Sequence, residues 1–276
     1  MATQLLFYEA AVPVSAARHG NWSIEPRDYS FSKSINSVPL TTVEFASAAS
    51  EYSIVFAGQP GSLVPAAILG MRASENLYLN DKGDWDAKYV PAFVRRYPFV
   101  FSSPDEGKNF MLCIDEPFTG FNQEGRGQRL FNEENKASAY TESVLKFLQG
   151  YELEFRRTRD FCRMLEELEL LESMQAQVSV NADERISLTG FMAVSRDKLK
   201  ALPAAKLAEL TKSDELEFIY LHLQSMRNFA LMRGRLGSTS VARPQPEAMA
   251  ASPEPEPEPK APEAKPRKRA ERKLPS

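Results

Sequence analysis

The sequence contains few of the residues that most metal centres require. Its 276 residues include only two histidines, His19 and His222, and only two cysteines, Cys113 and Cys162. The histidines are not in an H-E-x-x-H or H-x-x-x-H spacing, and the cysteines are not in a C-x-x-C spacing or a disulfide framework. This excludes an all-histidine metal site and argues against a zinc site. We therefore expect no metal or other cofactor, and two reduced, unpaired thiols.

Long apolar runs and an excess of positive charge are also missing. No apolar segment reaches the length of about 20 residues that spans a bilayer. The first 20 residues have no cationic residue before their short apolar run, so they do not resemble a signal peptide. The formal net charge is −3, which does not indicate a nucleic-acid partner. We expect a soluble cytoplasmic protein without a membrane span.

Signatures of covalent catalysis and of phosphate binding are absent as well. The sequence has no G-x-S-x-G motif, and the glycines of "GQPGS" and "GRGQR" fit neither a Walker loop nor a dinucleotide fingerprint. The composition, with 43% hydrophobic and 10% aromatic residues, is that of an ordinary globular protein that can bury a sizeable core. We assign no catalytic residue on this basis.

The segments that are present predict an α+β fold. In the front half, short segments bounded by turn residues predict strands: "EYSIVFAG", "AAILGMR", "ENLYLN" and "NFMLCID". From Ser138 to Leu171 apolar residues recur every three, four or seven positions, which predicts a long amphipathic helix, and a break near Gly150 is left open. A strand pair, "AQVSVN" and "RISLTGFMAV", follows, then short helical turns and a final helix. We expect a mixed or antiparallel sheet packed with these helices.

A change of composition marks the end of the folded part. We expect one α+β domain over residues 1–236 and a disordered tail over residues 237–276. The tail has a proline-glutamate repeat, a basic end and almost no large apolar residue to offset the entropy of ordering. A tail without a fixed partner is the favoured interpretation. Weak contact of its basic end with an acidic protein, a membrane or nucleic acid is the alternative.

Residues 83–101, "GDWDAKYVPAFVRRYPFVF", combine large aromatic side chains with two adjacent arginines. Gly83 is placed in a tight turn, Pro91 is placed to begin a short helix, and Pro98 to end it. Because an unpaired buried charge is costly, this mixture indicates the rim of a pocket or interface. The candidate binding residues of this segment are Trp85, Tyr89, Arg95, Arg96 and Tyr97.

A connector with inward rings and arginines that extend to water is the alternative interpretation. Neighbouring residues on a helix diverge by about 100°, so we expect one arginine of the pair to point inward and be paired while the other points outward.

The adjacent acids Asp115 and Glu116 complete the set of candidate binding residues. They follow the apolar segment "FMLCI", where a carboxylate at the end of a strand can face a cleft. Consecutive strand residues point to opposite faces, so the two acids do not form an acid/base pair on one side. We assign them a structural or binding role, such as pairing with Arg95 or Arg96, in preference to catalysis.

Several of these segments occur in the order seen in the SapC-like proteins, a family named after a gene beside surface-layer protein export genes of certain Gram-negative bacteria. The sequence resembles that family from Phe7 to about Arg235, through "YEAAVPVSAARHGNWSI", "VPLTTVEFASAASEYSIVFAG", "MLCIDE" and "LTGFMAVSRDKLKALPAAKLAEL". The most specific part is "W-D-x-x-Y-V-P-A-F-V-R-R-Y-P-F". The resemblance implies a role in surface-layer protein handling but no catalytic mechanism. Relatives also occur beside flavin-dependent tryptophan halogenases, cupin-like hydroxylases and TonB-dependent receptors, which implies a peptide or protein client.

Two hypotheses of function follow. The first is a non-enzymatic accessory protein that binds a polypeptide client, or a secretion or modification partner, through the aromatic and arginine segment. The second is an enzyme or enzyme subunit that modifies such a client beside hydroxylases or halogenases. Its candidate acid/base groups are His19, Asp115, Glu116 and His222. If these four side chains lie far apart, the second hypothesis loses its candidates.

Overall fold

Short strands and one long helix form the framework of the computed structural model, which describes residues 5–103, 109–179 and 185–237. The strands are β1 (Ala11–Pro13), β2 (Ser23–Ile24), β3 (Ser37–Pro39), β4 (Ile54–Ala57), β5 (Val64–Ile68), β6 (Phe99–Ser102), β7 (Met111–Asp115), β8 (Phe121–Asn122), β9 (Gln128–Arg129), β10 (Leu171–Ser179) and β11 (Arg185–Val194). The helices are α1 (Ala16–His19), α2 (Phe45–Ala48), α3 (Ala92–Arg95), α4 (Ala139–Glu167), α5 (Arg196–Ala201), α6 (Ala204–Lys212), α7 (Glu215–Ser225) and α8 (Asn228–Gly237).

The strands pair in three antiparallel sheets. The largest has the order β10-β11-β4-β5-β3, the second has the order β1-β7-β6, and the third has the order β8-β2-β9. The long hairpin of β10 and β11 is the predicted strand pair. Antiparallel sheets of short strands combined with several helices confirm the predicted α+β class.

One of the four strand predictions in the front half is wrong. The predicted segments around β4, β5 and β7 are strands, but "ENLYLN" forms turns, with a single bridge between Leu79 and Trp85. Side-chain oxygens bind the backbone N–H groups there. The Glu75 carboxylate accepts hydrogen bonds from the backbone N–H groups of Met71 and Arg72, and the Asn76 side chain accepts one from that of Tyr78. Such local hydrogen bonds compete with the ladder of a sheet.

The long helix α4 is continuous over 29 residues. Ser138 caps its start by accepting a hydrogen bond from the backbone N–H of Thr141. Gly150 does not break it, because a glycine inside a helix costs only about 1 kcal/mol and the packing of the apolar face outweighs that cost. The predicted final helix, in contrast, is two helices, α7 and α8. The Asn228 side chain at the start of α8 donates to the carbonyl groups of Ala49 and Tyr52.

The segment that carries the two arginines folds as the sequence predicts. Gly83 has a φ of +82°, a left-handed conformation that suits a tight turn. Pro91 occupies the N-cap of α3, and the chain returns to strand at β6, directly after Pro98.

The main hydrophobic core lies between the five-stranded sheet and the helices α2, α4 and α7, where the Phe45, Phe161 and Phe218 rings meet edge to face. Among the helices of the described residues, none combines the length and apolar character needed to cross a membrane. The predicted tail lies outside the described residues, apart from Gly237 at the end of α8.

Candidate binding cleft

The adjacent arginines of α3 point to different surroundings. Arg96 is only 5% exposed, whereas Arg95 is exposed. The Arg95 Nε donates to the carbonyl oxygen of Val90 at 2.9 Å, and its guanidinium lies 5.7 Å from the centre of the Tyr89 ring. The prediction of one inward and one outward arginine is confirmed.

Aromatic rings surround the buried Arg96 guanidinium. Its carbon lies 4.0 Å from the centre of the Phe93 ring, 5.2 Å from that of Tyr151 and 5.9 Å from that of Tyr8. The faces of aromatic rings carry partial negative charge, so these contacts stabilise the cation. The Tyr8 hydroxyl donates to the carbonyl oxygen of Phe99 at 2.8 Å. Burial raises the pKa of that phenol above its ordinary range, while Arg96 acts in the opposite direction.

Arg96 lines a cleft of about 500 Å³ between α3, α4 and the loop that precedes β5. Five aromatic residues also line it: Phe93, Phe101, Phe110, Tyr151 and Phe155. Phe110 is 39% exposed, so part of the aromatic surface is open to solvent. The volume is in the range of about 300–1,000 Å³ that is typical of ligand-binding clefts.

Three further arginines reach the cleft from α4: Arg156, Arg159 and Arg163. Their spacing of three and then four residues places them on one face of the helix. The guanidinium of Arg156 lies 5.6 Å from the centre of the Phe110 ring, and that of Arg159 lies 5.9 Å from the centre of the Phe155 ring. We call Arg156, Arg159 and Arg163 the arginine row.

Arginine and glutamate side chains supply the charges of the described lining residues. Among the described residues, the lining contains four arginines and two acids, Glu152 and Glu166. Glu166 accepts a hydrogen bond from the backbone N–H of Gly61 at 2.9 Å. Burial raises the pKa of Glu152, and the neighbouring arginines 96, 156 and 159 lower it.

Glu44, which the sequence analysis missed, fixes the arginine segment to the rest of the fold. Its Oε1 accepts hydrogen bonds from the Tyr89 hydroxyl at 2.8 Å and the Ala92 backbone N–H at 2.7 Å. Its Oε2 accepts from the Thr41 backbone and hydroxyl at 2.8 and 2.9 Å. Four donors satisfy this buried carboxylate, which would otherwise be costly to bury. The T-x-x-E spacing of Thr41 and Glu44 is the capping-box pattern, and it could have identified Glu44 from the sequence.

The structure does not bring Trp85, Tyr89 or Tyr97 into the cleft beside Arg96. All three are partly exposed, and the polar end of each is bonded inside the protein. The Trp85 indole N–H donates to the Tyr52 hydroxyl at 2.8 Å, Tyr89 donates to Glu44, and Tyr97 donates to Asp115 at 2.8 Å. Tyr97 and Arg95 line a second, smaller pocket of about 220 Å³.

Asp115 and Glu116 point in different directions, as the sequence predicts. Asp115 is 1% exposed, and its Oδ1 accepts hydrogen bonds from the backbone N–H groups of Glu9 and Ala10 at 2.8 and 2.7 Å. Glu116 pairs with Arg18 at 2.5 Å. The expected ion pair with Arg95 or Arg96 is wrong, because among the described residues other groups hold both carboxylates. The backbone N–H groups of residues 9 and 10 and the adjacent Arg18 are nearer donors.

The structure brings His19 and Glu116 together, but His222 is bonded elsewhere, to β4 and β11. His19 is fully buried; it accepts a hydrogen bond from the Ser15 backbone N–H at 3.1 Å and lies 3.4 Å from Glu116. His222 is also fully buried, and its ring lies between β4 and β11. None of the four lines the larger cleft. Within the described residues no group of three or more histidine, cysteine or acidic side chains is arranged to hold a metal ion.

These features define an α+β protein with an aromatic, arginine-lined cleft. The chain belongs to the SapC family, whose model matches residues 14–232, most of the chain. The resemblance seen in the sequence is thereby confirmed. No curated protein and no solved structure matches the chain.

Proposed function

We propose that the protein is a non-enzymatic accessory protein that binds a polypeptide client in the cleft beside Arg96. One observation carries the proposal: an open cleft of about 500 Å³ combines an aromatic lining with four arginines. Aromatic and arginine side chains contribute most to the affinity of protein interfaces. The planar guanidinium is also suited to paired hydrogen bonds with the carbonyl and carboxylate groups of a polypeptide.

The candidate residues from the sequence divide into two roles in this proposal. Arg96 contacts the client. Trp85, Tyr89, Tyr97 and Asp115 hold the segment in place through their internal hydrogen bonds. Arg95 contributes to the separate pocket of about 220 Å³, and Glu116 to the ion pair with Arg18.

The SapC resemblance supports the finer part of the proposal, which is a role in the handling or export of surface-layer protein. In that role the protein acts in the cytoplasm, where a client is bound before it is secreted or modified.

An enzyme that modifies a polypeptide client is the alternative, and Glu152 is the observation that favours it. Glu152 lines the cleft, and burial raises its pKa, which is a property of many acid/base groups. A Glu152→Gln variant separates the two functions. An accessory protein with this substitution still captures its client, whereas an enzyme that uses Glu152 binds the client but no longer modifies it.

The test of the proposal is a variant that fills the cleft without removing a charge. Ser62 is exposed and lines the cleft, and its hydroxyl donates to the carbonyl of Gln59. Ser50 is a matched control: it is exposed, it does not line the cleft, and its hydroxyl donates in the same way to Ser47. We expect Ser62→Trp to lose the client and Ser50→Trp to keep it.

The measurement is a pull-down from the cells that produce the protein, followed by mass spectrometry. A polypeptide that the wild type and Ser50→Trp retain and that Ser62→Trp loses supports the proposal. Equal recovery with all three baits contradicts it, because the cleft is then not where the client binds.

A further inference from the structure

We infer that the protein forms a weak homodimer in which the β10 strands of two copies pair edge to edge, antiparallel, about Ala176. The five-stranded sheets of the two copies then form one continuous sheet. The inference assigns the outer edge of β10, residues 172–178, to self-association. This edge contributes no described residue to the lining of the cleft, so the inference does not depend on the proposed function.

The unpaired edge of β10 is the first argument. β10 is an outer strand of the five-stranded sheet, and β11 is its neighbour in that sheet. Within the described ranges, no backbone group of another element hydrogen-bonds residues 172–178 outside this pairing. Alternate residues of such a strand direct their N–H and C=O groups outward, where these groups can pair with another chain.

Length and composition distinguish this edge from the other sheet edges of the described structure. β10 has nine residues, whereas the other outer strands have two to four. Proteins commonly protect an edge strand with a proline or a lysine. The outer strands β1 and β3 contain Pro13 and Pro39. β10 contains neither residue type, and its only charged residue is Glu172, so its edge is open to pairing.

The irregularity of the hairpin lies in β11 and leaves β10 regular. Between the pairs made by Met174 and Ala176, one residue of β10 faces two residues of β11. Gly190 of β11 has a φ of +83°, the left-handed conformation of a bulge residue. The even-numbered side chains of β10 therefore share one face. β11 also extends beyond its pairing with β4 at Met192, but Arg185 and the bulge protect that edge.

Self-complementarity is the argument for a second copy as the partner. The sequence of residues 173–179, "SMQAQVS", reads nearly the same in both directions. In an antiparallel pair centred on the middle alanine, Met174 of one copy faces Val178 of the other, and Gln175 faces Gln177. An apolar pair then lies on one face of the ribbon and amide pairs lie on the other. Cross-strand pairs of matched character stabilise a sheet.

The side chains of this edge also suit a copy of themselves in burial and in charge. Ala176 and Val178 are buried in a cluster with Phe229 of α8, whereas Met174 on the same face is 39% exposed. Pairing covers Met174 with the apolar face of the second copy. Glu172 lies four residues from the centre, so the two copies of this acid stay about 27 Å apart, at opposite ends of the ribbon.

The first test is the dissociation constant of the full chain, measured by sedimentation equilibrium. The contact is one strand pair, smaller than a standard interface of about 1,600 Å², so we expect a micromolar constant. Gln175→Lys combined with Gln177→Lys places lysines opposite one another in both amide pairs. Like charges in such pairs are destabilising, so this lysine variant should weaken the dimer at least about fivefold. Added salt should reverse part of the loss.

Gln59→Lys combined with Gln123→Lys is the matched control. All four glutamines are exposed, and Gln59 and Gln123 lie outside β10. The control adds the same charge as the lysine variant, so it should dimerise as the wild type does. Because the substituted side chains are exposed, thermal melts of the two variants at a concentration where both are monomeric should coincide. This comparison separates association from folding.

Cysteine cross-linking tests the register. Gln175→Cys and Gln177→Cys, mixed in equal amounts, face one another in the dimer, within the Cα separation of about 7 Å that a disulfide allows. In either variant alone the new cysteines are offset by two residues, with Cα atoms about 8 Å apart. The native Cys113 and Cys162 are buried. Mild oxidation should therefore cross-link the mixture and leave each variant alone largely monomeric.

Three results would overturn the inference. Wild-type protein that stays monomeric up to millimolar concentrations, or a lysine variant that dimerises as tightly as its control, contradicts pairing at β10. Cysteine variants that cross-link alone as readily as they do in the mixture contradict the register about Ala176. None of these results bears on the cleft, because Ser62→Trp tests the proposed function separately.

Discussion

The imidazole of His222 takes the place of a direct hydrogen bond between Ile54 and Val194. Met192 of β11 pairs with Phe56 of β4, so the antiparallel register places Val194 opposite Ile54 two residues further on. His222 Nε2 accepts from the Val194 backbone N–H at 3.0 Å, and its Nδ1 lies 2.9 Å from the Ile54 carbonyl oxygen. The ring must therefore be neutral, with its proton on Nδ1. One helix side chain thus joins two strands where their pairing ends.

We predict that this histidine makes stability fall in acid. Burial lowers its pKa from the ordinary value of 6.5 to about 4 in the folded protein. The unfolded chain therefore takes up the proton first, so the stabilisation is complete above pH 6.5 and is lost as the pH falls towards 4. The loss amounts to about 3 kcal/mol of the free energy of unfolding, measured by denaturant melts at several pH values.

The control for this prediction is His222→Gln, which removes the titrating group. We expect the variant to be less stable than the wild type at pH 7 but to lose less stability between pH 6.5 and 4. The same slope in both proteins would show that other groups cause the acid dependence.

A second prediction concerns Glu44. Glu44→Ala leaves the buried Ala92 N–H and the Tyr89 and Thr41 donors without their acceptor. We expect the free energy of unfolding to fall by about 3–5 kcal/mol. Denaturant melts check it, with the exposed Glu167→Ala of α4 as a control that should change stability little. A small effect of Glu44→Ala would mean that water replaces the carboxylate.

The sequence predicted those elements whose conformation depends on residues within the same short segment. Pro91, Pro98 and Gly83 restrict the chain at their own positions, so they located α3 and the turn before it. The spacing of apolar residues located α4, because residues three and four positions apart lie on one face of a helix. The strand prediction for "ENLYLN" was wrong because the side chains of Glu75 and Asn76 accept hydrogen bonds from backbone N–H groups there and so compete with strand pairing.

The cleft could not be predicted from such local patterns, because its lining combines segments that are distant in the sequence. Its described lining includes the loop before β5, the end of α3 with Arg96, β6, Phe110 before β7, and α4. Arg156, Arg159 and Arg163 follow the same helical period as the apolar residues of α4, so the sequence alone places them on one face. Only the fold shows that this face lies against Arg96.

A third prediction concerns the tail, which lies outside the described residues. Residues 243–276 offer almost no large apolar side chain, so they add little buried area to the folded protein. Removing them should change the melting temperature by no more than about 2 °C. Thermal melts of the truncated and full chains check this, and a drop of many degrees would show that the tail docks on the folded part.

The last prediction uses the two adjacent arginines as controls for one another. Arg96→Ala removes a buried cation from contact with the Phe93 and Tyr151 rings and leaves a cavity beside them. It should lower the free energy of unfolding by about 2–4 kcal/mol. Arg95 is exposed and bonded to one backbone carbonyl, so Arg95→Ala should cost less than about 1 kcal/mol. Denaturant melts of both variants provide the comparison.

Arg96→Lys extends this comparison to the chemistry of the contact. Lysine keeps the positive charge but lacks the planar group that stacks on rings, so we expect a stability between those of Arg96→Ala and the wild type. If Arg96→Lys matches the wild type, charge alone accounts for the contribution of Arg96. If Arg96→Ala is as stable as Arg95→Ala, the ring contacts contribute nothing measurable, and the inward position of Arg96 then serves the cleft without stabilising the fold.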